Sequence, residues 1–152
     1  MKKLGVHWTR IPVEENLDEC AWIEETRKRF YKSVITEAGK AKVVFSGHGI
    51  RFPNHFIGLG TIGKDMTLTR LKQAIENAFK EQQHEITGKT VCELMVHPGY
   101  KSIMGCGGCG EGPDLFACSD DREHELTTLK SSDLKEYLRS NNIRVCSFKE
   151  LS

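Results

Sequence analysis

No apolar run in this chain approaches the roughly 20 residues that a helix needs to cross a bilayer, so the sequence offers no helical membrane span. It also lacks a surplus of one charge. Its 22 Lys and Arg stand against 21 Asp and Glu, a formal net charge of +1. The basic residues are scattered instead of gathered in a stripe, and nothing reads as a nucleic-acid footprint. No secretory leader is read either: Met1-Lys2-Lys3 could open one, but His7 and Arg10 stand where its apolar core would be. The expected location is cytoplasmic or nucleocytoplasmic, with neither membrane nor nucleic acid as partner. In that setting the six cysteines are expected as reduced thiols, not as the disulfide framework of a short secreted domain.

What is present fits a soluble globular domain: 152 residues, 38% hydrophobic and 28% charged. Apolar periodicity gives an alternation of strands and helices. Val6 to Ile11 reads as a short strand stopped by Pro12. A helix is expected from about Leu17 to about Ala38, with Ile23, Phe30, Val34 and Ala38 on one face and Gly39 as its stop. Ala41 to Phe45 reads as a second strand leading into Ser46-Gly47-His48-Gly49, and Phe56 to Leu59 as a third. The strongest helix runs from about Thr67, its N-cap, to Gln83, with Leu68, Leu71, Ile75, Ala78 and Phe79 as an apolar stripe. Thr90 to Val96 is an apolar strand running into His97-Pro98-Gly99-Tyr100. Residues 101–119, rich in Gly, Cys and Pro, are a loop long enough to suggest function. Two short helices follow, near Asp121 to Leu129 and Ser132 to Ser140, the second capped by Ser131 or Ser132. Ile143 to Cys146 reads as a last strand. The order favours an α/β fold with a mostly parallel sheet, whose ligands sit at the carboxyl ends of strands. Arg10, Ser46, His48 and His97 are then strand-end residues sharing one face.

His97 can carry a proton near neutral pH, or it is a hydrogen-bonded histidine of a turn. Arg10 offers a rigid fork for a carboxylate or oxyanion, or it pairs at the surface with Glu14 or Glu15. Cys106 and Cys109 form a C-x₂-C pair, with Cys118 and His124 behind them. Together they could make a Cys₃His zinc site, but the second pair is loose for such a site, and free thiols are expected. His48 and His55 flank a loop and read as solvated. Glu111 and Asp114 read as turn formers.

These segments together resemble the second half of the YdjC-like carbohydrate deacetylases. The resemblance is carried by Gly5 to Glu14, Gly49-Ile50-Arg51, Phe56 to Leu59, Glu93 to Tyr100, Gly108 to Asp114, Arg122 to Leu126 and Ser131 to Leu134. The His-Pro-Gly-Tyr turn behind an apolar strand is the most specific of them. The resemblance implies a distorted (β/α) barrel of the polysaccharide-deacetylase type, of which residues 1–152 would be the C-terminal portion. It implies hydrolysis of an acetyl group from an acetylated oligosaccharide with magnesium or another divalent metal, His97 as general acid, and Arg10 orienting an aspartate. The family's metal ligands and general base belong to its first half, in an Asp-Asp-Phe-Gly strand end and two later His-containing strand ends. None of those motifs occurs in this sequence, and Asn54 stands where many members carry an acidic residue. The expectation is therefore a half domain without a metal site of its own: a fragment, a shorter isoform or an incomplete gene model, inactive alone. A non-catalytic truncated isoform and a zinc-stabilised interaction module are the alternatives.

Overall fold

The computed structural model describes residues 5–80, 90–107 and 112–151. Its regular elements are helix α1 (Glu25–Gly47), strand β1 (His55–Ile57), helix α2 (Leu68–Lys80), strand β2 (Cys92–Leu94), and helices α3 (Asp121–Lys130) and α4 (Ser132–Ser140). The chain divides into two compact units. The first comprises Met1–Gly60, Ala74–Met95 and Cys146–Ser152, the second Thr61–Gln73 and Val96–Val145.

The first unit holds the sheet. β1 and β2 pair in parallel, with His55 opposite Cys92, Phe56 opposite Glu93 and Ile57 opposite Leu94. The ladder is extended by His55 N–H to the Val91 carbonyl (3.1 Å) and Met95 N–H to the Ile57 carbonyl (2.9 Å). Parallel neighbours cannot be joined by a tight turn, and the chain order β1–α2–β2 supplies the helical crossover they require. Phe56, Ile57 and Leu59 are buried with Ile11, Leu17, Ile23, Tyr31, Ala38 and Ile50, the apolar core of this unit. The structure is thus mixed α/β with a small parallel sheet.

Three expected strands are absent among the described residues. Ala41 to Phe45 is the last part of α1, so Ser46 lies in a helix and not at a strand end. Gly39 does not stop α1, since a mid-helix glycine costs only about 1 kcal/mol relative to alanine. The stop comes ten residues later. Gly49 adopts φ 65°, its N–H donates to the Ser46 carbonyl, and the Ile50 N–H donates to the Phe45 carbonyl. This is a Schellman closure, which needs a residue at ease in the left-handed region. Val43 and Val44 stay exposed on the helix, so local apolar character there is not matched by burial. The buried stripe of α1 runs through Tyr31 and Ala38, two turns apart, and leaves Phe30 exposed. Val6 to Ile11 is reduced to one bridge, Trp8 with Arg51, and Ile143 to Cys146 forms no strand.

The remaining helices follow the sequence closely. Thr67 caps α2 by accepting the Arg70 N–H at 3.3 Å, and Leu71, Ile75 and Ala78 are buried along it. The expected end of α2 at Gln83 lies outside the described residues. Ser131 caps α4 by accepting the Leu134 N–H.

Gly58 closes β1 against the residue after β2. Its φ is +134°, and a Cβ there would lie 2.6 Å from the Met95 carbonyl oxygen and 2.8 Å from the Met95 Cβ. Gly58→Ala is expected to cost roughly 2–5 kcal/mol through backbone strain and overpacking together, read as a lower urea midpoint. A midpoint equal to wild type would show that β1 can end with a side chain at this position.

Candidate active site

Two groups of chemistry-bearing side chains stand out, one in each unit. In the first, Arg10 donates from Nε to Glu93 Oε1 at 2.6 Å, and its guanidinium lies 5.8 Å from the centre of the Phe56 ring. Phe56 and Glu93 are register partners in the sheet, so the strands themselves place the anion and the aromatic face that hold Arg10. The partner of Arg10 is therefore neither Glu14 nor Glu15. Glu93 takes only Nε, and the two terminal nitrogens are the part of the fork suited to meet a second carboxylate or an oxyanion. The Arg10 side chain is half exposed.

Glu14 is buried beneath the same strand end. Its Oε2 accepts the N–H groups of Gly58 (3.1 Å), Leu59 and Gly60 (3.1 Å), pinning the chain as it leaves β1. Burial pushes its carboxyl above the ordinary value of 4.5; the bonds from Gly60, Leu59 and Gly58 pull the other way without offsetting it. The folded chain thus holds this proton more tightly than the unfolded chain. Glu14 contributes stability that is complete below about 4.5 and is lost as the pH rises through its folded value. The wild type's melting temperature, taken relative to that of Glu14→Gln, is expected to fall as the pH is raised from 4.5. A difference independent of pH would contradict the assignment. The neighbouring thiol of Cys92 is pushed up to about 12, first by burial and then by the charges of Glu14 and Glu93. It is no nucleophile at neutral pH.

In the second unit, His97 lies three residues beyond the last residue of β2. Its N–H donates to Glu125 Oε2, and Glu125 Oε1 accepts the Gly63 N–H at 2.7 Å. Glu125, from the middle of α3, is fully buried. The His97 Nδ1 lies 3.7 Å from Glu125 Oε1 and is itself buried without a hydrogen bond. Phe116 packs edge-on against the imidazole, ring centres 5.5 Å apart. The His97 side chain as a whole keeps 38% exposure. Arg122 Nε donates to the His97 carbonyl at 3.3 Å.

The other expected residues are placed as follows. His124 Nε2 meets the Met66 carbonyl at 3.0 Å, which engages one of the two nitrogens a zinc site could use. Cys106 and Cys118 are free, while Cys109 and Glu111 lie outside the described residues. Asp114 accepts the Ala117 N–H at 2.7 Å, as a turn former does. Asn54 Oδ1 accepts the Val91 N–H at 3.0 Å, a bond that an acidic side chain could make equally. Among the described residues, no group of three or more His, Cys, Asp and Glu is placed to hold a metal ion. The described residues by themselves therefore offer no ligand set for the divalent metal that the resemblance implies.

A parallel β–α–β unit places the chain among the α/β proteins. Residues 1–140 match the family described as YdjC-like protein, and the chain belongs to that family. A carbohydrate deacetylase of Xenopus laevis is 42% identical over 152 residues, which cover 96% of this chain and 49% of that protein. The carbohydrate deacetylase of Mus musculus is 38% identical, covering 99% and 48%. That of Homo sapiens is 37% identical, covering 99% and 46%. The chain spans about half the length of the curated relatives it matches. No solved structure matches it.

Sequence reasoning singled out His97 and Arg10 but not Glu125, Arg122, Glu93 or Glu14, which hold them or the chain beside them. Glu125 stands in the charged stretch Asp121-Arg122-Glu123-His124-Glu125, where no apolar stripe announces burial. The signals for it were the place of Arg122 to Leu126 among the segments that carry the resemblance and the spacing of Arg122 and Glu125, three apart on one helix face.

Proposed function

We propose that this chain contributes to the hydrolysis of N-acetyl groups on acetylated oligosaccharides, with His97 donating the proton to the departing amine. The relatives' name, carbohydrate deacetylase, supplies the reaction class. The observation that carries the role is the His97 side chain, 38% exposed as a whole, with its Nδ1 buried beside Glu125. In this reading Nε2 is the atom that a substrate meets.

Amide hydrolysis adds water oxygen to the carbonyl carbon and breaks the C–N bond, and the amine departs once it has taken a proton. A doubly protonated His97 gives that proton from Nε2 and keeps the one on Nδ1, next to a carboxylate. Arg10, oriented by Glu93, holds an acidic residue, the role that the resemblance implies for it. Activation of the water falls to residues other than those described in this chain, and no step runs through a metal held by it. By family membership we also propose that β1–α2–β2 belongs to a distorted (β/α) barrel, in which a parallel pair has further strands beside it.

The test is hydrolysis of acetylated chito-oligosaccharides with excess magnesium. The 152-residue chain alone is expected to show no turnover. The same chain joined to the preceding half of the Xenopus laevis relative is expected to turn over. Robust activity of the short chain would sink the partial-site reading, and an inactive but folded fusion would sink the deacetylase reading.

A further inference from the structure

Helix α3 grips the irregular segment at His97 through both its N–H and its carbonyl. Glu125 accepts the His97 N–H, Arg122 donates to the His97 carbonyl, and the Gly99 N–H returns to the Arg122 carbonyl at 3.2 Å. A Cβ at Gly99 would overlap a terminal nitrogen of Arg122, so that side chain sits directly against the backbone here. The same Glu125 carboxylate faces the buried Nδ1. In a buried setting a carboxylate favours an N–H pointed at it and disfavours a lone pair.

We propose that Glu125 is the positioning residue for His97: its carboxylate fixes the backbone of this segment and keeps the proton on Nδ1, leaving Nε2 as the atom that exchanges protons with a substrate. The proposal rests on the reading of His97 as proton donor and supplies the reason why Nε2 performs it. The 3.7 Å separation exceeds a hydrogen bond, as is common for catalytic pairs without substrate, which tighten only in the complex. A purely structural Glu125 would anchor the two backbone N–H groups and leave the imidazole tautomer indifferent. The two roles are separable by measurement.

The experiment is nitrogen-15 NMR of the imidazoles in the 152-residue chain, in alkaline buffer where the rings are neutral. His97→Gln assigns the signal. The wild-type ring is expected to be predominantly the Nδ1–H tautomer. Glu125→Gln, with a neutral amide of the same shape, is expected to lower the Nδ1–H to Nε2–H ratio by roughly threefold or more. Glu125→Asp, which keeps the charge one methylene further back, is expected to fall between them. A folded Glu125→Gln with unchanged tautomer populations overturns the proposal. If that variant does not fold, the wild type decides by itself: a predominant Nε2–H ring overturns the proposal and a predominant Nδ1–H ring supports it. These signals are read without substrate, so they are independent of turnover. A Glu125-dependent tautomer in a protein whose kcat ignores His97 would remove the proton-donor reading and leave the positioning standing.

Discussion

His97→Ala, in the chain joined to the preceding half of a family relative, is expected to lower kcat by about 10² to 10⁴-fold, the usual contribution of a positioned general acid. The amine leaving a tetrahedral intermediate is a poor leaving group until it is protonated, and alanine can supply no proton. The loss is expected in kcat and kcat/KM together, because the proton moves only in the transition state. KM should change little, since the imidazole is held from behind by Glu125 and Phe116 and its removal leaves the segment anchored by backbone bonds. Steady-state kinetics on acetylated chito-oligosaccharides decides the matter. A KM that rises with kcat unchanged would make His97 a binding residue, and no change in either would remove it from the chemistry.

Glu125→Ala is expected to be the most destabilising of the substitutions considered, by roughly 2–6 kcal/mol. The carboxylate is fully buried and accepts two backbone N–H groups, from Gly63 and His97. Alanine leaves both donors without an acceptor, at about 1–3 kcal/mol each. A domain of this size has only about 5–15 kcal/mol in hand, so the variant should sit close to unfolding at about 37 °C. Glu125→Gln should lose about half as much, because its amide oxygen can replace one of the two acceptors. Urea unfolding at about 25 °C provides the comparison. A loss below about 1 kcal/mol for alanine would mean that the chain reseats both N–H groups.

Much of this chain is legible in the order of its residues. Helix α2 follows from its apolar spacing and Thr67, α4 from the Ser131 cap, and the strands around Phe56 and Glu93 from their apolar runs between polar stretches. These are local facts: a cap or a stripe is decided by residues within a few positions of one another. His97 also shows itself, because a polar residue directly after an apolar strand is conspicuous.

What the tertiary structure alone decided involves partners distant in sequence. Val43 and Val44 have strand-like character, yet α1 runs on to a closure at Gly49 because a strand forms only where another strand offers hydrogen bonds. Arg10 finds Glu93, 83 positions away, instead of its acidic neighbours. Glu14 reaches the amides of Gly58 to Gly60, and Glu125 those of Gly63 and His97. Charged residues read as surface in a sequence because desolvating them costs several kcal/mol. They become interior only where the fold aims several N–H groups at one carboxylate, an arrangement that no stretch of sequence contains by itself.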